Sequence, residues 1–369
     1  MRQQNKSGIF ITGGGTGGHI YPAVAVADAL KDEYEIYYVG NPRNLEKEIV
    51  QQKEYKFLPV CVQGLPRKAT LDLLAWSVKL FVSVIRSMFY ILKYKPKAVF
   101  GTGGYVSAPA LIAAKLFGIP FVMHDCDANP GLVTRKLSPF ASSVSLAFEC
   151  AKSVIKNKKC FINGNPLRKE FATLTKQEAR LQLGLENKLT IAFMGGSQGA
   201  KSINSSTCEI LKTLSKDYDV QIIFQTGKKK YEDVIEKLTT FYPDYEMDKN
   251  IIVRPYFDDM VSVMKASDIA VSRAGSLSIS ELSASGVATI YIPYPFAAAD
   301  HQRKNARFME ENCAGLYLED SDVTAQTLLA KLLELINNQN RLVDVQQATL
   351  KLAKFDAVFD IVQQIKQVI

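Results

Sequence analysis

Cysteine is scarce and poorly spaced for metal or redox chemistry. The six residues, Cys61, Cys126, Cys150, Cys160, Cys208 and Cys313, form no CxxC pair. That argues against a zinc ribbon, a thioredoxin-type site and a disulfide scaffold. Histidine is scarcer still. His19, His124 and His301 are the only three, and no His-x-x-x-His spacing occurs. The opening stretch MRQQNKSGIFITGGG lacks the apolar run of a signal peptide, so a cytoplasmic location is expected. Lys and Arg are scattered without aromatic interleaving, which makes nucleic acid a poor partner. Charge itself is plentiful. Lys+Arg is 45 against 37 for Asp+Glu, a net charge of +8, which suits an anionic membrane or a phosphorylated substrate. At 369 residues and 47% hydrophobic, the chain is long and apolar enough for two globular domains.

One segment imitates a membrane span. Residues 71–92 read LDLLAWSVKLFVSVIRSMFYIL. Asp72, Lys79, Arg86 and Lys93 lie seven apart and share one helical face, with Ser83 and Tyr90 between them. Charges inside the run argue against crossing a bilayer and for an amphipathic helix with a wide apolar face.

Elsewhere strand and helix patterns alternate, which predicts an α/β chain with parallel sheets. Strands are expected at 9–12, 35–39, 57–62, 98–100, 120–123, 143–146 and 160–163, then at 190–194, 220–225, 251–253, 269–271, 289–292 and 316–318. Twice a strand runs into a glycine cluster and then a helical pattern, IFIT-GGGTGG and IAFM-GGSQGA. A doubly wound domain begins in this way, so two Rossmann-like domains are expected. Their expected limits are 1–165 and 166–344, with a helical segment 345–369 packing back on the first.

Gly13-x-Gly15-x-x-Gly18 fits the dinucleotide fingerprint in number only. The second strand ends in Val39-Gly40-Asn41, without the acid that would hold a ribose, so a nicotinamide oxidoreductase is a weak reading. The mechanical part survives, because glycine-rich strand ends present amide N–H groups that hold phosphate. Two further clusters follow strands, Gly101–Ser107 and Ser272–Glu281. One such cluster could be only a tight turn, but four strand ends of this kind favour a ligand site. His19 directly follows the first cluster and is the best candidate for proton transfer. Asp125-x-Asp127 is a two-carboxylate pattern with weak claims on a metal. Arg168, in GNPLR, is a candidate diphosphate contact or an interface ion pair.

The ordered set GGGTGGHIYPAVAVADAL, GTGGYVSAPA, HDCDANPGL, GNPLR, GGSQGAKSIN, FDDM, SRAGSLSISE and DHQRKNA resembles the MurG family over nearly the whole chain. The resemblance implies a GT-B fold, two doubly wound domains facing across a cleft. It implies an inverting transfer of N-acetylglucosamine from UDP-N-acetylglucosamine to the 4-hydroxyl of undecaprenyl-diphosphate-N-acetylmuramoyl-pentapeptide, lipid I, giving lipid II for peptidoglycan. No cofactor and no resident metal are implied. The implied partners are the donor, lipid I, an anionic membrane surface on the cytoplasmic side, where the protein would be peripheral, and cell-wall synthesis proteins.

Residue by residue, the resemblance assigns Thr16, Gly17 and Gly18 to the first loop, which faces sugar and diphosphate. Arg168 and Ser197 match donor contacts, and the backbone of Phe257 a uracil contact. Ser276, Leu277, Ser278, Ile279 and Ser280 match the helix start that cradles the diphosphate. Glu281 would take the ribose hydroxyls, and Gln302 matches a donor-binding Gln. The family often reads His-Glu-x-Asn where this chain has His124-Asp125-Cys126-Asp127, so Asp127, helped by Asn129, inherits the sugar contact. His19 is the expected base, with Asp125 in reserve. A UDP-N-acetylglucosamine 2-epimerase of the same fold is the alternative enzyme, and it would leave the long apolar helix unexplained. A non-catalytic membrane scaffold would not need four glycine-rich strand ends.

Overall fold

GIFIT, five consecutive buried residues, forms β1 (Gly8–Thr12), an interior strand of a seven-stranded sheet. The computed structural model describes residues 6–66, 71–297 and 300–369. Around β1 stand β2 (Glu35–Gly40), β3 (Lys56–Pro59), β4 (Ala98–Gly101), β5 (Phe121–Asp125), β6 (Ser143–Leu146) and β7 (Cys160–Ile162). Their order is β3-β2-β1-β4-β5-β6-β7, all parallel. Short strands that are apolar on both faces need cover on both sides, and they have it. Phe10, Val99 and Met123 face one layer with Leu111, while Ile9, Ile11 and Val122 face another with Ile20 and Val24. Residues 57–62 were expected as one strand; β3 ends at Pro59, with Val60 N making the last bond to β2 at the Gly40 carbonyl, 2.8 Å away.

The order reverses between β1 and β4. At such a point the connections leave in opposite directions, and a crevice opens beyond the carboxyl ends of the two strands. Helices α1 (Gly17–Leu30) and α4 (Gly104–Leu116) start there. Between them in sequence come α2 (Glu46–Gln52) and α3 (Leu71–Tyr94).

The described part of α3 turns its apolar residues outward. Ser83, Ser87 and Ile91 are buried, and Leu80 and Met88 pack against the core. The Ser83 hydroxyl donates to the Cys61 carbonyl at 3.1 Å, and Tyr90 Oη to that of Pro59 at 3.0 Å. Leu74, Val78, Phe81, Val82, Ile85, Phe89 and Leu92 are exposed. The serine and tyrosine expected on the solvated stripe therefore anchor the helix, because carbonyls of the segment after β3 lie beneath them. Trp76 is half-buried and donates from Nε1 to the Gln63 carbonyl at 3.0 Å.

The second unit repeats the plan with β8 (Leu189–Met194), β9 (Val220–Gln225), β10 (Ile251–Arg254), β11 (Ile269–Ser272), β12 (Ala288–Tyr291) and β13 (Leu316–Tyr317). The parallel order is β10-β9-β8-β11-β12-β13, reversing between β8 and β11. The compact units are Met1–Arg168 with Lys354–Ile369, and Lys169–Ala353. The sequence reading put these junctions at 165/166 and 344/345. The later return has a clear cause. The helix Gln339–Leu352 places Leu342 and Val345 in the second core, and Thr349 Oγ1 donates to the Ala314 carbonyl at 2.7 Å. Only the helix Ala357–Lys366 belongs to the first unit, where Ile361 and Ile365 join Ile9 and Ile11.

Candidate active site

In the first unit the loops after β1, β4 and β5 converge. A Cβ on Gly13 would lie 1.9 Å from Thr102 Oγ1, so only glycine lets these two loops touch. Thr102 Oγ1 donates to the His19 carbonyl at 2.6 Å. The His19 ring lies against Gly104, whose added Cβ would meet Cδ2 at 2.9 Å. Cys126 Sγ is 3.4 Å from His19 Nδ1 and 3.9 Å from Asp127 Oδ2. His19, Cys126 and Asp127 thus share one corner, at the strand ends where the order reverses. Thr16, Gly17 and Gly18 open α1 beside them.

The other residues of this stretch brace it. His124 is fully buried between Ser145 Oγ, 3.0 Å from Nδ1, and Asn165 Oδ1, 3.0 Å from Nε2. Burial lowers its pKa to about 4, so the ring is neutral at neutral pH and joins β5 to β6 and to the segment after β7. Asp125 is 1% exposed. Its oxygens accept the N–H groups of Asp127 at 3.2 Å and Gly131 at 3.1 Å, which folds the turn that carries Cys126 and Asp127. Burial, with the charge of Asp127, raises its pKa. Asp125 and Asp127 do not act as paired carboxylates, because Asp125 is turned inward onto the turn's own amides. Asn129 Oδ1 accepts a hydrogen bond from the Arg135 guanidinium.

Glu46 was not singled out in the sequence. It is a wholly buried carboxylate that accepts from Asn41 N at 3.1 Å, Asn44 Nδ2 at 3.3 Å and, more weakly, Gly15 N at 3.4 Å. The glycine loop therefore rests on an acid carried by α2. Part of its amide supply is spent internally rather than on a ligand. Glu46→Ala should cost about 2–4 kcal/mol in denaturant unfolding, because buried donors lose their acceptor, and Glu46→Gln should cost less. Equal losses for the two variants would show that only the volume of the side chain matters. Position 46 in LEKEIV reads simply as an exposed helix-start acid, so no sequence signal distinguished it.

In the second unit the loop after β8 folds onto the loop after β9. Gly199, at φ +72°, would put a Cβ 2.0 Å from the Thr226 carbonyl oxygen, and Asn204 Nδ2 donates to that oxygen at 2.7 Å. Ser197 is exposed at the loop's tip. Phe257 is buried, and its N–H donates to Gln225 Oε1 at 3.0 Å. Its carbonyl is therefore the backbone group able to meet a base. Gly275 precedes the helix Ser276–Ser285 and brings no side chain to cap the first turn. The N–H groups of Ser276, Leu277 and Ser278 belong to that turn, at the positive end of the helix dipole. Ile279 N donates to Gly275 O at 2.9 Å, and Ser280 Oγ to Ser276 O at 3.1 Å. Glu281 is half-buried one turn further on.

Two polar residues here are braces. Arg273 donates to the carbonyls of Ile292 at 3.2 Å and Pro293 at 3.1 Å and pairs with Asp320 at 2.5 Å, so this cation beside the glycine cluster is spent on structure. Asn305 is buried and donates to Ala274 O at 3.1 Å, fixing the turn before Ser276. Gln302 accepts the Tyr294 N–H at 3.0 Å, which leaves its amide NH2 as the group to offer a ligand. Arg168 is exposed and ends the first unit's main segment.

The glycosyltransferase family 28 N-terminal domain matches residues 9–146, and the family's C-terminal domain matches residues 190–364. The UDP-N-acetylglucosamine–N-acetylmuramyl-(pentapeptide) pyrophosphoryl-undecaprenol N-acetylglucosamine transferase of Thermoanaerobacter sp. (strain X514) is 39% identical over 361 residues, 96% of this chain and 98% of that protein. The crystal structure of Acinetobacter baumannii MurG matches with a TM-score of 0.77 at 26% identity, covering 98% of this chain and 99% of that one. A putative UDP-N-acetylglucosamine 2-epimerase from Listeria monocytogenes matches with a TM-score of 0.70 at 14% identity, covering 99% and 97%. At that identity the epimerase shares the fold alone. Two parallel α/β units of this type are the GT-B fold. Because the resemblance to transferases runs the length of both units, the chain belongs to the MurG family of glycosyltransferases.

Proposed function

We propose that the chain transfers N-acetylglucosamine from UDP-N-acetylglucosamine to the 4-hydroxyl of the muramoyl sugar of lipid I, releasing UDP and forming lipid II. The observation that carries this reading is the 39% identity, over nearly the full length of both chains, to a transferase of that name. The glycine-rich strand ends of both units suit it. Transfer at an anomeric carbon needs a base for the acceptor hydroxyl and stabilisation of the departing diphosphate. His19 supplies the base from the first unit. In the second unit the amides of Gly195–Gly199 and the start of the helix Ser276–Ser285 stabilise the developing charge, and Arg168 adds a cation. Asp127 and Asn129 take the donor sugar, Phe257 the uracil, and Gln302 a further donor contact. The experiment is UDP release from UDP-N-acetylglucosamine with and without a lipid I analogue. Acceptor-dependent release is expected. Acceptor-independent consumption of the donor would favour the epimerase reading.

Glu281 is assigned to the ribose hydroxyls. Glu281→Ala removes a charged acceptor worth roughly 1.5–3 kcal/mol, so donor affinity should fall about 10–150-fold by calorimetry. A donor lacking both ribose hydroxyls should bind the two proteins alike. Equal losses for both donors would remove the ribose from this residue's account.

The exposed face of α3 supports a membrane partner. The helix is long and apolar enough to span a bilayer by length and composition. Its other face, however, is spent on Cys61, Pro59 and the core, so it lies on a surface rather than crossing one. Lys79 and Arg86 are exposed along the edge of the anchored stripe, with Lys79 Nζ donating to Gln63 Oε1 at 2.8 Å, and suit anionic lipid, where a substrate with an undecaprenyl tail lives. The protein is read as peripheral on the cytoplasmic face, where cell-wall synthesis proteins would be neighbours.

A further inference from the structure

We infer that His19, Cys126 and Asp127 form a binding site for a thiophilic divalent cation of the Zn2+ type. One ligand atom from each lies within 4.8 Å of the others, mixing imidazole, thiol and carboxylate. In tetrahedral zinc sites the metal stands about 2.3 Å from sulfur and about 2.0–2.2 Å from nitrogen or oxygen, so ligand atoms sit about 3.6 Å apart. The sulfur here is 3.4 Å from His19 Nδ1 and 3.9 Å from Asp127 Oδ2, close to those edges.

The ligands are also held in place. Asp127 N is tied to Asp125 Oδ1 at 3.2 Å, and Cys126 O accepts from Asn165 Nδ2 at 3.4 Å. His19 is fixed through its carbonyl to Thr102 and through its ring to Gly104. The donor set selects the metal. A thiolate with one imidazole suits zinc, whereas magnesium and calcium prefer oxygen alone. On binding, the thiol gives its proton to solvent and the thiolate and carboxylate balance the cation's two charges. Three protein ligands leave one position for water. His19 Nδ1 would be taken up by the metal, so a bound cation should inhibit transfer. That consequence rests on His19 being the base, whereas the binding site itself does not.

The full-length chain, reduced and freed of metal, is titrated with Co2+ and then with Zn2+. A thiolate-to-cobalt charge-transfer band reaching one equivalent is expected, and Zn2+ should displace it. Cys126→Ala should abolish the band. Asp127→Asn and His19→Gln should each weaken Zn2+ binding at least about tenfold in chelator competition. Circular dichroism and denaturant unfolding check that each variant is folded. A band that survives in folded Cys126→Ala, or Zn2+ affinity unchanged in both other variants, overturns the site. Transfer is then assayed with and without Zn2+, each protein against its own metal-free rate. Inhibition of the wild type with resistance in Cys126→Ala is expected. Stoichiometric binding at the three residues without inhibition would uphold the site and count against His19 as base.

Discussion

His19→Ala should lower kcat by about 10²–10⁴-fold at saturating acceptor, the usual worth of a general base. Donor affinity should change little, because UDP is assigned to the second unit. The ring stands at the carboxyl ends of β1 and β4, where open α/β sheets place their ligands, and its backbone is pinned by Thr102. The other candidate is differently placed. Asp125 is buried, with both oxygens already accepting turn amides, so it shapes the loop and does not face a substrate. Single-turnover transfer with chelator present, followed across pH, separates the roles. An acid limb in the wild type that vanishes in His19→Ala is the expected result. If His19 only binds the acceptor diphosphate, KM for the lipid should rise while kcat falls less than tenfold. An acid limb unchanged in the variant would move the proton transfer elsewhere. Asp125→Asn should instead lower stability and activity together, since it weakens acceptance of the Asp127 and Gly131 amides.

The strand and helix order was legible because it rests on local pattern. IFIT, TIAFM and VQIIFQ are short apolar runs before glycine or a turn, and such runs are buried parallel strands in β1, β8 and β9. The glycines were legible as a class, but their reasons were not. Gly13 exists for Thr102, 89 positions later in the chain, and Gly199 for Thr226. The polar residues divide less predictably. Arg273 has the charge and position of a ligand contact and Glu46 reads as an exposed helix-start acid, but both are consumed by the fold, and only their partners reveal it. His124 lies at a strand's carboxyl end as His19 does, but Ser145 and Asn165 hold it in the core. The corner of His19, Cys126 and Asp127 spans 107 positions in sequence, so spacing rules written for local metal motifs do not detect it.

The α3 face was half legible, and the part that was missed sets the size of the second large effect. Heptad spacing identified an amphipathic helix. It did not reveal that Ser83 and Ser87 point inward while Phe81 is 67% and Phe89 59% exposed. Burying a phenylalanine is worth roughly 1.5–3 kcal/mol, so Phe81→Ser with Phe89→Ser should lower partitioning onto anionic vesicles by about 10²–10⁴-fold. Folding stability should move by only about 0.5 kcal/mol per site, because these side chains are already exposed. Activity on a soluble, short-chain acceptor should persist. Lys79→Glu with Arg86→Glu tests the electrostatic part separately. Each basic residue near anionic lipid is worth about 1 kcal/mol, and this contribution should fade as salt rises, whereas the phenylalanine effect should not. Vesicle sedimentation over a salt series measures both. Wild-type protein that ignores anionic vesicles even at low salt would remove the membrane from the reading of α3. Loss of binding in the charge variant at every salt concentration, with none in the phenylalanine variant, would assign the contact to charge and leave the apolar face without a role in it.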